Sequence, residues 1–91
     1  MATIRIPSGL RGLTGGKDDV DTIAVTVRDA ITDLERRYPG IAARVLAGDG
    51  GVKPFIRIFV GPEDIGDLAG LDTPIGERDE VMIVPAIAGG R

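Results

Sequence analysis

Hydrophobic and polar residues alternate along several short segments of this chain, which is the pattern of half-buried β-strands. Residues 3–6 place Ile4 and Ile6 on one face and predict a first strand. A second strand is predicted at about residues 21–25, and the two would pair antiparallel near the N-terminus. The same alternation predicts strands at residues 55–60 and 81–84.

Arg57 assigns the two faces of the strand at residues 55–60 if its charged side chain lies in solvent. The residues that alternate with it then belong to the core, namely Ile56, Ile58 and Val60. The same reasoning turns Met82 and Val84 outward in the last strand, while Phe59 shares the face of Arg57. We interpret the apolar spot of Phe59, Met82 and Val84 as a surface on which a partner docks.

A helical pattern begins after Thr26, a residue type that is favoured at helix N-caps. Asp29 stands at the third helical position, where a carboxylate completes a capping-box arrangement and favours the positive end of the helix dipole. One apolar stripe follows at three- and four-residue steps, formed by Val27, Ala30, Ile31, Leu34 and Tyr38. The pair at residues 39–40, Pro-Gly, ends the predicted helix, and residues 41–46 could add one more turn.

Glycine and proline divide the rest of the chain into loops and turns. Residues 7–16 contain four glycines and predict a long loop from which Leu10 and Leu13 fold back on the core. Residues 61–64 predict a turn, and residues 66–76 predict a loop whose apolar residues plug the core, namely Leu68, Leu71 and Ile75. The order strand, strand, helix, strand, irregular segment, strand indicates the α+β class, with one helix covering one face of a mixed sheet.

The composition removes most catalytic chemistries. The 91 residues predict one small domain, and 43% of them are hydrophobic, which favours a folded globule. The chain has no Cys and no His, which excludes disulfides, thiolate nucleophiles, Ser-His catalysis and the usual zinc sites. An enzyme built on paired carboxylates remains open, although most carboxylates on such a chain are solvated surface. We therefore expect neither catalytic residues nor a metal site.

Charge and hydropathy narrow the choice of partners. From residue 46 onward the chain has 8 acidic and 4 basic residues, and it contains one Tyr, two Phe and no Trp. Such a chain repels phosphate backbones and offers no stacking platform, so nucleic acid is not expected as a partner. No membrane-length apolar run and no signal segment are visible, which leads us to expect a cytoplasmic protein without a membrane partner.

The last residues follow the final predicted strand and contain the pair Gly89-Gly90. Glycine has no Cβ, so such a segment is thin enough to enter a narrow active site and present a carboxylate to another enzyme. Chain ends are also commonly frayed, and glycine is tolerated there without any function. Spacing alone leaves both interpretations open.

Taken with this strand order, the chain resembles the sulfur-carrier family of ubiquitin-like β-grasp proteins typified by MoaD, ThiS and CysO. The residues that carry the resemblance lie at residues 5–7, 10–11 and 14–16, at residues 33–35, 38 and 40–41, and at residues 79–90. The Thr-Gly-Gly loop and the Pro-Ala-x-Ala-Gly-Gly ending look most like the CysO branch, which serves cysteine biosynthesis. The resemblance implies a β-grasp fold with a mixed four- to five-stranded sheet and one main helix.

The resemblance also implies a carrier instead of an enzyme. In this family an E1-like activating enzyme uses ATP to adenylate the terminal glycine carboxylate, and sulfur then displaces AMP to leave a thiocarboxylate. Carried over, Gly90 would bear the sulfur and Gly89 would keep the segment slim, with no cofactor bound by the carrier. In the CysO branch the partners are a pyridoxal-phosphate cysteine synthase and a zinc metalloprotease. A molybdopterin synthase small subunit and a ubiquitin-like protein modifier remain alternatives.

Arg91 departs from the family pattern, because it follows the second glycine. Its carboxylate cannot yield a glycine thiocarboxylate. We favour Arg91 as a cap that proteolysis removes, and the alternative is an expression scar or an extension without function. The predicted organisation is a β-grasp domain at residues 1–86 and a flexible Gly-Gly tail at residues 87–91.

Overall fold

A computed structural model describes residues 1–85 of the chain. Five strands occur in this part: β1 (Ala2–Arg5), β2 (Asp19–Thr22), β3 (Ile56–Val60), β4 (Glu63–Asp64) and β5 (Glu80–Pro85). The helices are α1 (Val27–Arg37) and the single turn α2 (Ala42–Val45), with 3-10 segments at Ser8–Leu13, Ile65–Asp67 and Gly70–Asp72. No helix within residues 1–85 is long and apolar enough to cross a membrane.

The strands form one mixed sheet in the order β2-β1-β5-β3-β4. β1 and β5 are parallel, with Ile4 opposite Val81, and the pairs β1–β2, β3–β5 and β3–β4 are antiparallel. β5 therefore lies at the centre of the sheet and is hydrogen-bonded along both of its edges. This arrangement confirms the predicted mixed sheet of four to five strands with one main helix.

α1 begins and ends where the sequence predicts. The Thr26 hydroxyl accepts a hydrogen bond from the Asp29 backbone N–H at 3.1 Å, which satisfies one of the free donors of the first turn. Beyond the last turn, Gly40 adopts φ 103°, a conformation that residues with a Cβ rarely reach. The Glu35 carboxylate accepts from the backbone N–H of Gly40 and of Ala42, which ties α1 to α2 and lowers the Glu35 pKa, Ala42 contributing most.

The core lies between α1 and one face of the sheet. Val27, Ala30, Ile31 and Leu34 are buried on the helix, as the stripe predicts, and Tyr38 packs partly buried at its end. The sheet contributes a second set of buried residues, which were predicted correctly from alternation: Ile4, Ile6, Ile58, Val81 and Ile83. Val20 of β2 is also buried, although it lay outside the predicted second strand. Ile56 and Val60 are partly buried against this core.

The second strand is two to three residues out of place in the prediction. β2 ends at Thr22, whose hydroxyl accepts the backbone N–H of Ala24 at 3.1 Å and turns the chain out of the sheet. Val25 then pairs through its carbonyl with the N–H of Ile75 at 2.9 Å, a contact between residues 50 positions apart that no local pattern reveals. As a result Ile23 is 81% exposed.

The loop predictions are partly wrong. The loop at residues 7–16 contains a 3-10 segment, in which Leu10 is buried and Leu13 is partly buried as expected. Leu71 and Ile75 plug the core, but Leu68 is 43% exposed and Ile65 fills the core in that region instead. Residues 63–64, predicted as turn, form β4 by pairing with the end of β3.

Candidate functional site

The predicted docking residues lie together on the face of the sheet that α1 leaves open. Phe59 on β3 is opposite Met82 on β5, and Val84 follows Met82 on the same face of β5. Met82 is 38% exposed although it lies on the central strand, and Phe59 and Val84 are partly exposed. We call these three residues the apolar strip. Its members are neighbours because outward residues on paired strands lie within side-chain contact.

Two ion pairs border the apolar strip. On one side the Arg5 guanidinium of β1 contacts the Glu80 carboxylate at 3.1 Å, and Arg5 is also the register partner of Met82. On the other side Arg57, opposite Val84, contacts Asp64 of β4 at 3.0 Å. An apolar centre with a charged border is the usual anatomy of a surface that binds a protein partner.

Asp64 holds its position through more than the ion pair. Its side chain accepts the backbone N–H of Gly66 at 2.8 Å, and this bond is the largest cause of a lowered pKa for Asp64. The hydrogen bond from Arg57 lowers the pKa further, so the carboxylate stays ionised at neutral pH. Arg57 is 64% exposed, yet one end of its guanidinium is fixed by this carboxylate.

The apolar strip is connected to the end of the chain through β5. Pro85, the last described residue, pairs with Ile56, and Met82 precedes it by three residues, or about 10 Å along the strand. The predicted sulfur-bearing residues Gly89 and Gly90, the predicted processing residue Arg91 and the predicted boundary at residue 86 lie outside the described residues. The described part ends at Pro85 on the central strand of the sheet, and these residues follow it in the sequence.

The described residues offer little chemistry of their own. Residues 1–85 contain no group of three or more Asp, Glu, His or Cys residues that could hold a metal ion. The side-chain nitrogen and oxygen atoms buried in this part all have hydrogen-bond partners. The described arrangement can present a surface to a partner.

The charged border of the strip was not predicted from the sequence. Arg57 served there only to assign a strand face, and Arg5, Glu80 and Asp64 were not identified. The one usable signal was the alternation itself, which puts Arg5 and Glu80 on outward positions of their strands. Their pairing depends on β1 lying beside β5, which local sequence does not reveal.

Comparison with known proteins gives a consistent result. The model of the ThiS family matches residues 4–90. The sulfur carrier protein CysO of Mycobacterium tuberculosis is 40% identical over 90 residues, covering 97% of both chains. A chain in the crystal structure of the BexX/CysO complex of Amycolatopsis orientalis is 38% identical, with a TM-score of 0.92 over 99% of this chain and 100% of that one.

Another relative matches over a shorter part of the chain. The molybdopterin synthase sulfur carrier subunit of Phaeosphaeria nodorum is 39% identical over 62 residues, which cover 68% of this chain and 62% of that protein. The match is shorter than that to the mycobacterial protein, which extends over nearly all of both chains.

Proposed function

This chain belongs to the ThiS family and is a sulfur carrier protein, and we propose that it carries sulfur as a thiocarboxylate on Gly90 for cysteine biosynthesis. Partner enzymes act on such a protein, which is itself not a catalyst. The observation that carries the proposal is the extent of the similarity. The family match includes Gly90 and ends there, and the mycobacterial sulfur carrier matches nearly the full length.

The chemistry starts from the weakness of a carboxylate as an acyl donor. An E1-like activating enzyme lets a Gly90 carboxylate oxygen attack the α-phosphorus of ATP, which releases pyrophosphate and leaves an acyl-adenylate. A sulfur nucleophile then attacks the carbonyl carbon, the bond to AMP breaks, and a thiocarboxylate remains once the sulfur is freed from its donor. ATP is a substrate of the activating enzyme, and the carrier is expected to hold no cofactor.

Arg91 must be removed before this chemistry. Whatever follows Gly90 occupies its carboxyl group in a peptide bond, so activation requires hydrolysis after Gly90. The end of the family match at Gly90 supports this step. We assign the hydrolysis to a zinc metalloprotease, whose second role would be to release cysteine from the carrier after sulfur transfer.

The apolar strip is our proposed docking surface for these partners. Phe59, Met82 and Val84 lie on the strand that leads to Gly90 and on its neighbour, so a partner bound there would receive the end of the chain nearby. A cysteine synthase with pyridoxal phosphate would accept the thiocarboxylate sulfur on an enzyme-bound aminoacrylate. The relative in the BexX/CysO complex supports the general view that proteins of this shape work with a partner.

Intact mass spectrometry of the protein from its native host tests the proposal. We expect a form that ends at Gly90 and, in part of the sample, the mass change for replacing one oxygen by sulfur. Iodoacetamide should alkylate only the sulfur-bearing form, since the chain has no Cys. The proposal fails if every molecule keeps Arg91 and no sulfur is found in sulfur-limited or sulfur-replete cells.

A molybdopterin synthase subunit is the second candidate, and the relative from P. nodorum favours it. The same thiocarboxylate would then serve a different acceptor. Reconstitution separates the two: the sulfur-loaded carrier is mixed with the host's cysteine synthase and O-activated serine, or with the large molybdopterin synthase subunit and its precursor. Cysteine formation supports our proposal, and sulfur loss only in the second mixture supports the alternative.

Protein modification would leave a different trace. If Gly90 formed isopeptide bonds with target lysines, host extracts probed with an antibody to this chain would show a series of higher-mass conjugates. We expect the free carrier as the dominant species, because the identity to the sulfur carrier CysO, 40% over 90 residues, exceeds the identity to the small archaeal modifier protein 3 of Haloferax volcanii, 33% over 90 residues.

A further inference from the structure

Two large aliphatic side chains are exposed on the segment between β2 and α1. Ile23 is 81% exposed and Val25 is 64% exposed, whereas Ala24 between them packs against the core. Single exposed apolar residues are common on protein surfaces, but β-branched side chains that project together form a contiguous apolar patch. We call residues 23–25 the aliphatic ridge. It lies apart from the apolar strip, which belongs to β3 and β5.

The aliphatic ridge is held in place at both ends. At one end the Ala24 N–H donates to the Thr22 hydroxyl at 3.1 Å, and at the other the Val25 carbonyl accepts the N–H of Ile75 at 2.9 Å. The next residue, Thr26, caps α1. A surface whose conformation is already fixed loses little conformational entropy when it binds. The ridge is therefore preorganised for contact with another molecule.

A hollow lies on either side of the aliphatic ridge. The first, of about 270 Å³, extends from the ridge to Ala2 and to residues 75–77. The second, of about 390 Å³, extends from the ridge to α1, where Asp29 and Arg36 line it. The two hollows share only the ridge residues, so the ridge separates them. The first hollow is slightly smaller than small-molecule sites, which measure about 300–1,000 Å³, and it suits one or two side chains.

Opposite charges border the two hollows. Glu77, which lines the first hollow, is exposed and forms no hydrogen bond or ion pair with the other described residues. Arg36, which lines the second, is 76% exposed and contacts Asp33 through one terminal nitrogen, so its other N–H groups can bond elsewhere. Asp29 is seven residues from Arg36, or about 10 Å along α1, where salt largely screens the interaction of the two charges.

We propose that two copies of this chain form a symmetric dimer through the aliphatic ridge, with each ridge seated in the first hollow of the other copy. A two-fold axis parallel to the ridges brings the Glu77 side of one copy against the Arg36 side of the other, at two equivalent contacts. The surface is thus complementary to itself both in shape and in charge, as an isologous interface requires. This match is the reason for choosing a second copy as the occupant.

The proposed contact leaves the end of β5 free. Ala2, which lines the first hollow, begins β1, and the parallel strand β5 runs from this end of the sheet to Pro85 at the other. One dimer therefore offers two C-terminal ends to its partners. The inference does not rest on the proposed sulfur chemistry, because it concerns residues at the opposite end of the sheet.

Sedimentation equilibrium of the full chain tests the dimer without any partner enzyme. Two aliphatic side chains from each copy bury far less than the roughly 800 Å² per partner of a standard interface, so we expect a weak dimer with a Kd of about 0.1–1 mM. The mean mass should therefore rise towards twice the monomer mass as the concentration increases from about 0.02 to 2 mM. A protein that stays monomeric at the highest concentration would overturn the inference and leave the ridge to a different partner.

Matched variants locate the contact. Ile23→Glu should raise the dimer Kd at least about tenfold, because its carboxylate would lose water in an apolar hollow. Leu68→Glu is the control, since Leu68 is also an exposed aliphatic residue but lies outside the ridge and its hollows, and it should leave the Kd within about twofold. Equal effects of the two variants would overturn the inference. Loss of the dimer in Met82→Glu would also overturn it, by placing the contact on the apolar strip. Unfolding curves show whether each variant is folded.

A pair of charge reversals tests the two-fold arrangement. Arg36→Glu and Glu77→Arg each put like charges across the interface and should raise the Kd about threefold or more at about 0.15 M salt, where distant charges are screened. In a mixture of the two variants, the mixed dimer has opposite charges at both contacts and should form with a Kd near that of the wild type. A mixture that dimerises no better than either variant alone would overturn the inference, because Arg36 would then not face Glu77.

Discussion

Asp33 is one of the best-connected carboxylates among the described residues. Its oxygens accept from the Thr22 hydroxyl at 2.9 Å and contact Arg36 at 2.6 Å and Arg37 at 2.9 Å. Arg37 also donates to the carbonyl of Asp21 at 2.7 Å, so the group joins α1 to the edge strand β2. The side chain of Asp33 is 16% exposed, which makes its bonds stronger than those of a surface ion pair.

We expect Asp33→Ala to destabilise the fold by about 2 kcal/mol, because it leaves the buried Thr22 hydroxyl without its acceptor. Urea unfolding monitored by circular dichroism at pH 7 measures the change. Asp18→Ala is the matched control, since the Asp18 side chain forms no hydrogen bond or ion pair with the other described residues. A loss below about 0.5 kcal/mol for Asp33→Ala would contradict the assigned network.

The lowered pKa of Asp33 also predicts how the free energy of unfolding depends on pH. Partial burial raises its pKa, but the hydrogen bonds from Thr22 and Arg36 and the charge of Arg37 outweigh burial, and the pKa is lowered. A carboxylate with a lowered pKa stabilises the fold fully above its ordinary pKa, and the contribution is lost as pH falls below about 4. The free energy of unfolding should therefore differ between the wild type and Asp33→Asn at pH 7 and become equal near pH 2. Unfolding curves measured from pH 7 to pH 2 check this.

At the scale of elements, α1 depends on its first turn. Thr26→Ala removes the acceptor for the Asp29 N–H and should cost about 1 kcal/mol, while Thr26→Ser keeps the hydroxyl and should cost little. Thermal or urea unfolding of both variants measures the difference. Equal stability of the two variants would show that solvent replaces the cap.

The proposed docking role of β5 can be tested on Met82. If the apolar strip binds the activating enzyme, Met82→Glu should weaken this binding at least about tenfold, because a carboxylate would enter the apolar centre of the proposed interface. Arg5 is the register partner of Met82, and its positive charge offsets the new carboxylate, so the variant should still fold. Ile23→Glu, at an exposed position away from the apolar strip, should leave the Kd within about twofold. Calorimetry on the wild type and the two variants measures the Kd, and unfolding curves show whether each protein is folded. Equal weakening by both variants would rule out a specific docking role for the strip.

The elements show where local sequence suffices and where it fails. α1 was predictable because its cap and its apolar stripe lie within a dozen residues of each other. The faces of β3 and β5 followed from a period of two, which also placed the apolar strip correctly. The end of β2 was not predictable, because Val25 is held by a hydrogen bond from the distant Ile75. Tertiary packing also determines that Ile65 is buried and Leu68 is exposed, which local sequence does not show. The ion pair of Arg57 and Asp64 needs β4, two residues long and too short for any pattern.

For the whole molecule, the predicted domain boundary after residue 86 can be tested by measuring the stability of a shortened chain. All core residues identified in the described part lie between Ala2 and Ile83. A chain of residues 1–86 should therefore unfold within about 0.5 kcal/mol of the full chain, yet accept no sulfur. Urea unfolding and mass spectrometry after incubation with the activating enzyme, ATP and a sulfur donor test both halves. A loss above about 1 kcal/mol would place the boundary further along the chain.

The central position of β5 has a mechanical consequence. A partner that draws the end of the chain into its active site pulls along β5, which is hydrogen-bonded to the parallel strand β1 on one edge and to β3 on the other. Such a pull loads both rows of hydrogen bonds together in shear, instead of peeling them one after another as on an edge strand. Forced unfolding is governed by the unfolding rate, and we expect this arrangement to keep that rate low for a pull at the C-terminal end. We therefore expect the domain to stay folded when a partner holds and releases the C-terminal end of the chain.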